Sequence, residues 1–183
     1  MTRFTATDHN YPRNNPHTIR LRSGQYIDLL APEVEAIYLE DIAHALSQIC
    51  RFGGHTATFY SVAEHSLLVA SLLWRQFGDP ELAAVGLLHD ATEAYLGDMV
   101  RPLKHSPAGE GFRSVEANLE AVIARRFFPH RTDPFGIDDV KAADEAALVY
   151  EMAAVRDAAW RHPTPPAGTA YAFLAAAARW GIQ

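Results

Sequence analysis

The sequence predicts an all-α protein, a helical bundle preceded by one small β-hairpin, and three observations carry that prediction. After residue 39, apolar residues recur at spacings of three and four through most of the chain. One short stretch before that point alternates with period two. Pro129, Pro134 and the run Pro163-Thr164-Pro165-Pro166 fall between the periodic segments, where they can separate helices.

Residues 1 to 18 are polar and rich in Asn and Pro, and read as an irregular arm. Thr18-Ile19-Arg20-Leu21-Arg22 and Gln25-Tyr26-Ile27-Asp28-Leu29 alternate around Ser23-Gly24, which predicts a hairpin over 18–30. Leu39, Ile42, Leu46 and Ile49 form one stripe of a helix over 39–50, broken by Gly53-Gly54. Ser61-Val62-Ala63-Glu64 is a capping-box sequence opening a helix that carries Val62, His65, Leu68, Val69 and Leu72. Asp79-Pro80-Glu81 supplies an N-cap, a proline at the first helical position and an acid in the first turn, and Gly97 is placed to end that helix. Further helices are expected at 111–128, 138–159 and 168–180. No repeat, low-complexity tract or linker divides the 183 residues, so a single domain is expected, with a helical core over 39–160.

Composition narrows the function. Apolar residues make up 49% and charged residues 21%, which excludes disorder as a description of the whole. Sixteen Lys and Arg against 22 Asp and Glu give a net charge of −6, which argues against a nucleic-acid polymer as partner but leaves single nucleotides open. Cys50 is the one cysteine, so no intramolecular disulfide framework exists, as suits a reducing compartment. The first eight residues contain no apolar run of the secretory kind, and the longest strongly apolar stretch, Ala170 to Ala178, is too short to span a bilayer. A soluble, cytoplasmic protein with no membrane partner is expected.

Polar groups occupy the apolar stripes at three places. His65 lies among Val62, Val69 and Leu72; His89 and Asp90 follow Val85, Leu87 and Leu88; Asp144 continues Ile137 and Val140 toward Leu148. A buried carboxylate without compensation costs several kcal/mol, so each Asp demands an Arg, a helix N-terminus or a metal. Two His and two Asp from three helices make an N2O2 set suited to one divalent ion such as Co, Mn, Zn, Ni or Fe. Taken singly, His65 also reads as a core histidine satisfied by a carbonyl, and Asp144 as a partner of Arg or a helix cap.

Read together, Ser61-Val62-Ala63-Glu64-His65-Ser66, Leu87-Leu88-His89-Asp90-Ala91-Thr92-Glu93-Ala94-Tyr95-Leu96-Gly97-Asp98 and Val140-Lys141-Ala142-Ala143-Asp144 resemble the H…HD…D signature of HD-domain metal-dependent phosphohydrolases. The closer similarity is to the bacterial 5′-deoxynucleotidase (YfbR-like) branch, whose second block runs on to Pro and Lys, here Pro102 and Lys104. The resemblance covers about residues 39 to 155 and implies an HD-domain-like helical bundle. It implies His65, His89, Asp90 and Asp144 as metal ligands, Glu93 as the residue that orients or deprotonates the attacking water, and Asp98 as an acid near the leaving group or sugar. Glu93, one turn after His89, is expected to share its helix face. Lys104 resembles a phosphate contact.

Arg51-Phe52 resembles that branch's arginine–aromatic substrate clamp, with Phe where the branch carries Trp and about one residue fewer before His65. An exposed Arg at a helix C-terminus is the other reading of Arg51. The implied reaction is metal-assisted hydrolysis of a nucleoside 5′-monophosphate, by a homodimer acting on a small-molecule nucleotide. Two alternatives stay open. One is a triphosphohydrolase releasing tripolyphosphate, for which Arg101, Arg113, Arg125 and Arg126 are the available cations; the other is a non-catalytic metal-binding sensor module.

Overall fold

A computed structural model describes residues 15–155 and 164–182. Most of the expected arm, and the stretch 156–163 with the far end of the expected 138–159 helix, lie outside the described residues. The chain is mostly helical with one small hairpin, as its periodicity predicts.

The hairpin pairs β1 (Thr18–Arg20) antiparallel with β2 (Tyr26–Asp28), Ile19 opposite Ile27. Gly24 takes the left-handed conformation of the turn (φ 91°). The turn is pinned to the bundle, because Ser23 N–H donates to the buried Asp41 carboxylate at 2.8 Å. Asp41 stands in the first turn of α1 (Leu39–Gln48).

α2 (Val62–Phe77) opens on the expected capping box: Ser61 Oγ accepts from Glu64 N–H while the Glu64 carboxylate accepts from Ser61 N–H. α3 (Pro80–Leu88) opens on Asp79, whose side chain accepts from Glu81 and Leu82 N–H. α2 and α3 pack tightly because Gly86 has no side chain. A Cβ there would lie 2.4 Å from Leu73 Cδ1 and 3.4 Å from Ala70 Cα.

The expected single helix from Pro80 to Gly97 is interrupted. After Leu88 the chain tightens into turns, with Ala91 N–H bonded to Leu88 O and Glu93 N–H to Asp90 O. It resumes as the short α4 (Glu93–Leu96), which Gly97 ends at φ 80°. His89 and Glu93 are therefore not neighbours on one unbroken helix face. α5 (Arg101–Lys104), α6 (Glu110–Phe127), α7 (Asp138–Val155) and α8 (Pro166–Arg179) complete the bundle.

Ile42, Leu46, Val69, Leu73, Leu87 and Phe173 fill the centre, where α1, α2, α3 and α8 meet. α7 lies against α2 and α3 and brings its acids onto them. Among the described residues no helix is long and apolar enough to cross a membrane.

Candidate metal centre

The neck of the loop between α1 and α2 builds the first wall. α1 ends at Gln48, earlier than the stripe predicts, and Cys50 forms an antiparallel bridge with Ser61. Arg51 N–H bonds Tyr60 O at 2.9 Å and Val62 N–H bonds Ile49 O at 3.0 Å, so Arg51 and Tyr60 are clasped just ahead of His65. Arg51 is thus not an exposed helix end. Its side chain is 11% exposed, with Nη1 at 3.5 Å from Asp90 Oδ2 and Nη2 at 3.2 Å from Glu151 Oε2. Phe52 follows in the left-handed region (φ 57°, ψ 28°), which costs an aromatic residue about 1–2 kcal/mol, and its ring lies 5.4 Å from the Arg51 guanidinium carbon.

Four of the sequence-derived residues converge beneath this wall. His65 Nε2 lies 3.2 Å from His89 Nε2, 3.1 Å from Asp144 Oδ1 and 3.6 Å from Asp90 Oδ2. His89 Nε2 lies 3.3 Å from Asp90 Oδ2 and 3.8 Å from Asp144 Oδ1. The other ring nitrogens are committed elsewhere: His89 Nδ1 bonds the Gly86 carbonyl at 2.8 Å, and His65 Nδ1 bonds Glu151 Oε1 at 2.7 Å. A carbonyl only accepts, so His89 Nδ1 carries a proton and its Nε2 is free to bind a cation.

Atoms that each stand about 2.1 Å from one ion lie within about 4.2 Å of one another, and these donor–donor separations all meet that limit. His65, His89 and Asp144 form a group that can hold a metal ion, and the Asp90 carboxylate stands against both histidines.

The electrostatics agree with a cation here. Burial opposes a charge on His89, but Asp90 and Asp144 outweigh it and raise its pKa to about 10. Burial likewise opposes ionisation of Asp90 and Asp144, yet the histidines beside them hold both carboxyls well below the usual range. Glu93 behaves oppositely: burial, then the charges of Asp90 and Asp98, push it up to about 9, and its Oε2 has no hydrogen-bond partner among the described residues. Asp98, half-buried at the end of α4, is raised by burial against the pull of Arg51.

Above the cluster opens a cleft of about 560 Å³, a volume typical of small-molecule sites. Asp90, Glu93, Asp98 and Asp144 give it an acidic floor, while Phe52, Met99, Val100 and Leu148 give it an apolar wall. Lys104 also lines it, but its Nζ is held by Glu116 of α6 at 2.7 Å. Arg101 lines it with a more exposed guanidinium, 3.6 Å from Asp144 Oδ2 and 3.9 Å from Glu145 Oε1. Arg113 instead donates to the Lys104 and Ser106 carbonyls, and Arg126 to the Ile37 carbonyl.

Two residues of the site escaped the sequence reading. Glu151 is fully buried and accepts from Tyr60 Oη at 2.7 Å besides bonding His65 and Arg51. Its signal was the continuation of the α7 stripe, since Val140, Asp144, Ala147 and Glu151 are spaced four, three and four. Tyr60 had no signal beyond its place before the capping Ser61.

Fold and site together define an all-α protein with a two-histidine, two-aspartate cluster, anchored on the buried His65, at the foot of a ligand-sized cleft. Uncharacterized protein YfdR of Escherichia coli is 38% identical over 133 residues, covering 73% of this chain and 69% of YfdR. An uncharacterized protein of Rhodobacter capsulatus is 41% identical over 139 residues, covering 72% of this chain and 69% of the relative. The chain belongs to the family of these proteins. No protein-family model matches it.

Proposed function

We propose that the protein is an HD-type metal-dependent phosphohydrolase that converts a (deoxy)nucleoside 5′-monophosphate and water to nucleoside and phosphate. The observation that carries this reading is the convergence of His65, His89, Asp90 and Asp144 under a cleft that also holds Glu93 and Asp98. A divalent ion bound by those four residues would polarise a phosphoryl oxygen and acidify water.

The chain's own groups supply the rest. Glu93, whose Oε2 has no hydrogen-bond partner among the described residues, takes a proton from the water that attacks phosphorus. A cation held beside Asp90 would offset the burial and negative charge that raise its pKa and keep it ionised for that role. Asp98, raised by burial, returns a proton to the 5′-oxygen as the P–O bond breaks. Arg51 and Arg101 flank the floor and contact the phosphoryl oxygens, while the apolar wall of Phe52, Val100 and Leu148 packs against the sugar and base.

Supporting a monophosphate over a triphosphate, Arg101 is the one arginine among the four weighed for extra phosphates that lines the cleft in the described residues. A product assay tests the reading: ribo- and deoxyribonucleoside mono- and triphosphates with Mn or Co, against Asp90→Asn. Nucleoside and phosphate from monophosphates, absent in the variant, is the expected result. Intact tripolyphosphate from triphosphates would replace the monophosphatase by a triphosphohydrolase. Metal binding without any product would move the assignment to a sensor module.

A further inference from the structure

Glu151 is the most buried acid among the described residues and belongs to neither the ligand set nor the cleft lining. Its Oε1 faces His65 Nδ1 and Tyr60 Oη, both at 2.7 Å, and its Oε2 faces Arg51 Nη2 at 3.2 Å. All three partners come from the segment 51–65, 86 to 100 positions away in the chain. A solvent-free carboxylate with three donors aimed at it is satisfied as an anion, so it accepts, and His65 Nδ1 must carry the proton.

We infer that Glu151 is the positioning residue of the centre: one carboxylate fixes His65 with Nε2 free for a metal and holds Arg51 over the same floor. This rests on reading the cluster as a metal site. His65 then takes the tautomer that binds a cation without any help from the ion, and its ring cannot rotate away. Holding Arg51 by the second oxygen ties the phosphate-facing guanidinium to the ligand histidine. Glu151→Gln breaks the arrangement in either orientation of the amide. With its oxygen toward His65, the NH2 meets the Arg51 donors; with the NH2 toward His65, Nδ1 must become the acceptor and Nε2 takes the proton.

The experiment uses the whole chain, stripped of metal and titrated with zinc by calorimetry. Glu151→Gln is expected to weaken zinc binding about 10- to 100-fold, the usual effect of removing an outer partner of a ligand histidine. Tyr60→Phe removes one neutral donor and is expected to change affinity about threefold or less. A merely structural Glu151 would lower the unfolding temperature of the metal-free variant and leave the zinc affinity of its folded form unchanged, which would overturn the inference. If Glu151→Gln does not fold, 15N spectra of the zinc-loaded wild type decide. A protonated Nδ1 on His65 supports the assignment, and a protonated Nε2 with bare Nδ1 overturns it. Wild-type protein that binds no divalent ion would instead remove the metal reading and this inference with it.

Discussion

His65 Nε2 and His89 Nε2 approach to 3.2 Å although both rings have their Nδ1 engaged, so a positive charge must sit between them. In the metal-free protein that charge is a proton, kept on His89 to about pH 10 by Asp90 and Asp144 against the effect of burial. A divalent ion has to displace it. Calorimetry in two buffers of different ionisation enthalpy should therefore show about one proton released per zinc at pH 7.5, with affinity rising as pH rises. Saturation at about 100 Kd should stabilise the fold by about 2.7 kcal/mol, or about 5–10 °C in Tm for a chain of this size. Binding with no proton release would contradict the shared-charge account.

Glu93 and Asp144 should separate cleanly. If Glu93 takes the proton from water as proposed, Glu93→Gln should cost roughly 10²–10⁴ in kcat, while zinc affinity stays near the wild-type value. Asp144→Asn takes a charged donor from the cluster and should cost zinc binding itself. Equal loss of metal in both variants would move Glu93 into the ligand set.

Two of the cations that line the cleft, Lys104 and Arg101, have different employment. Lys104 is neutralised by Glu116, so Lys104→Ala should leave KM for a nucleoside monophosphate unchanged and alter stability by less than about 1 kcal/mol. Among the described residues Arg101 makes only long contacts, to Asp144 and Glu145. Arg101→Ala should raise KM about tenfold or more, the loss of one charge-assisted hydrogen bond. The reverse pattern in steady-state kinetics would restore the lysine as the phosphate contact.

Acid should also act at a contact remote from the cleft. Glu81 in the first turn of α3 accepts from Arg131 Nε at 2.6 Å and pairs with His130 at 2.5 Å, and those bonds lower its pKa from 4.5 to about 2. A carboxyl depressed by folding contributes stability above its unfolded pKa and loses it as pH falls through the folded value. The contribution is therefore whole above about pH 4.5 and gone near pH 2. Because the pair is over a third exposed on the Glu81 side, Glu81→Gln should flatten this part of the pH–stability curve only slightly, by less than about 1 kcal/mol. Urea midpoints measured at intervals from pH 5 to 2 check it.

Gly86 sets the distance between α2, which carries His65, and α3, which His89 caps. Gly86→Ala puts a methyl group 2.4 Å from Leu73 Cδ1 and should cost about 1–3 kcal/mol in urea unfolding, despite the better helix propensity of Ala. An unchanged or higher midpoint would show that Leu73 can turn aside.

Legibility in the sequence followed local chemistry. Caps were readable because Ser61 with Glu64, and Asp79 with Pro80, satisfy helix ends through neighbours in the chain. The hairpin was readable from alternation around Ser23-Gly24, though its strands keep only three residues each. The polar residues His65, His89, Asp90 and Asp144 stood out because they interrupt apolar stripes. What stayed hidden depends on tertiary contact. Ala91-Thr92 contains no glycine or proline to announce the break after Leu88. The burial of Arg51 follows from the Cys50–Ser61 bridge and from two acids distant in the chain, Asp90 in the turn after α3 and Glu151 on α7. Glu151 sits between the exposed Tyr150 and Met152, so its neighbours make it look like part of a solvated face.

The span from Arg51 to Glu151, a hundred positions, also orders events during synthesis. A ribosome-bound chain cut off before residue 144 carries both histidines but lacks the acids that α7 contributes. Such a chain has neither the full donor set nor the carboxylate that faces His65 Nδ1, so tight capture of a metal by this cluster would wait until α7 has emerged and docked. Long-range closure of this kind is slow compared with forming a helix, and it would make a bound ion a marker of completed folding rather than its seed.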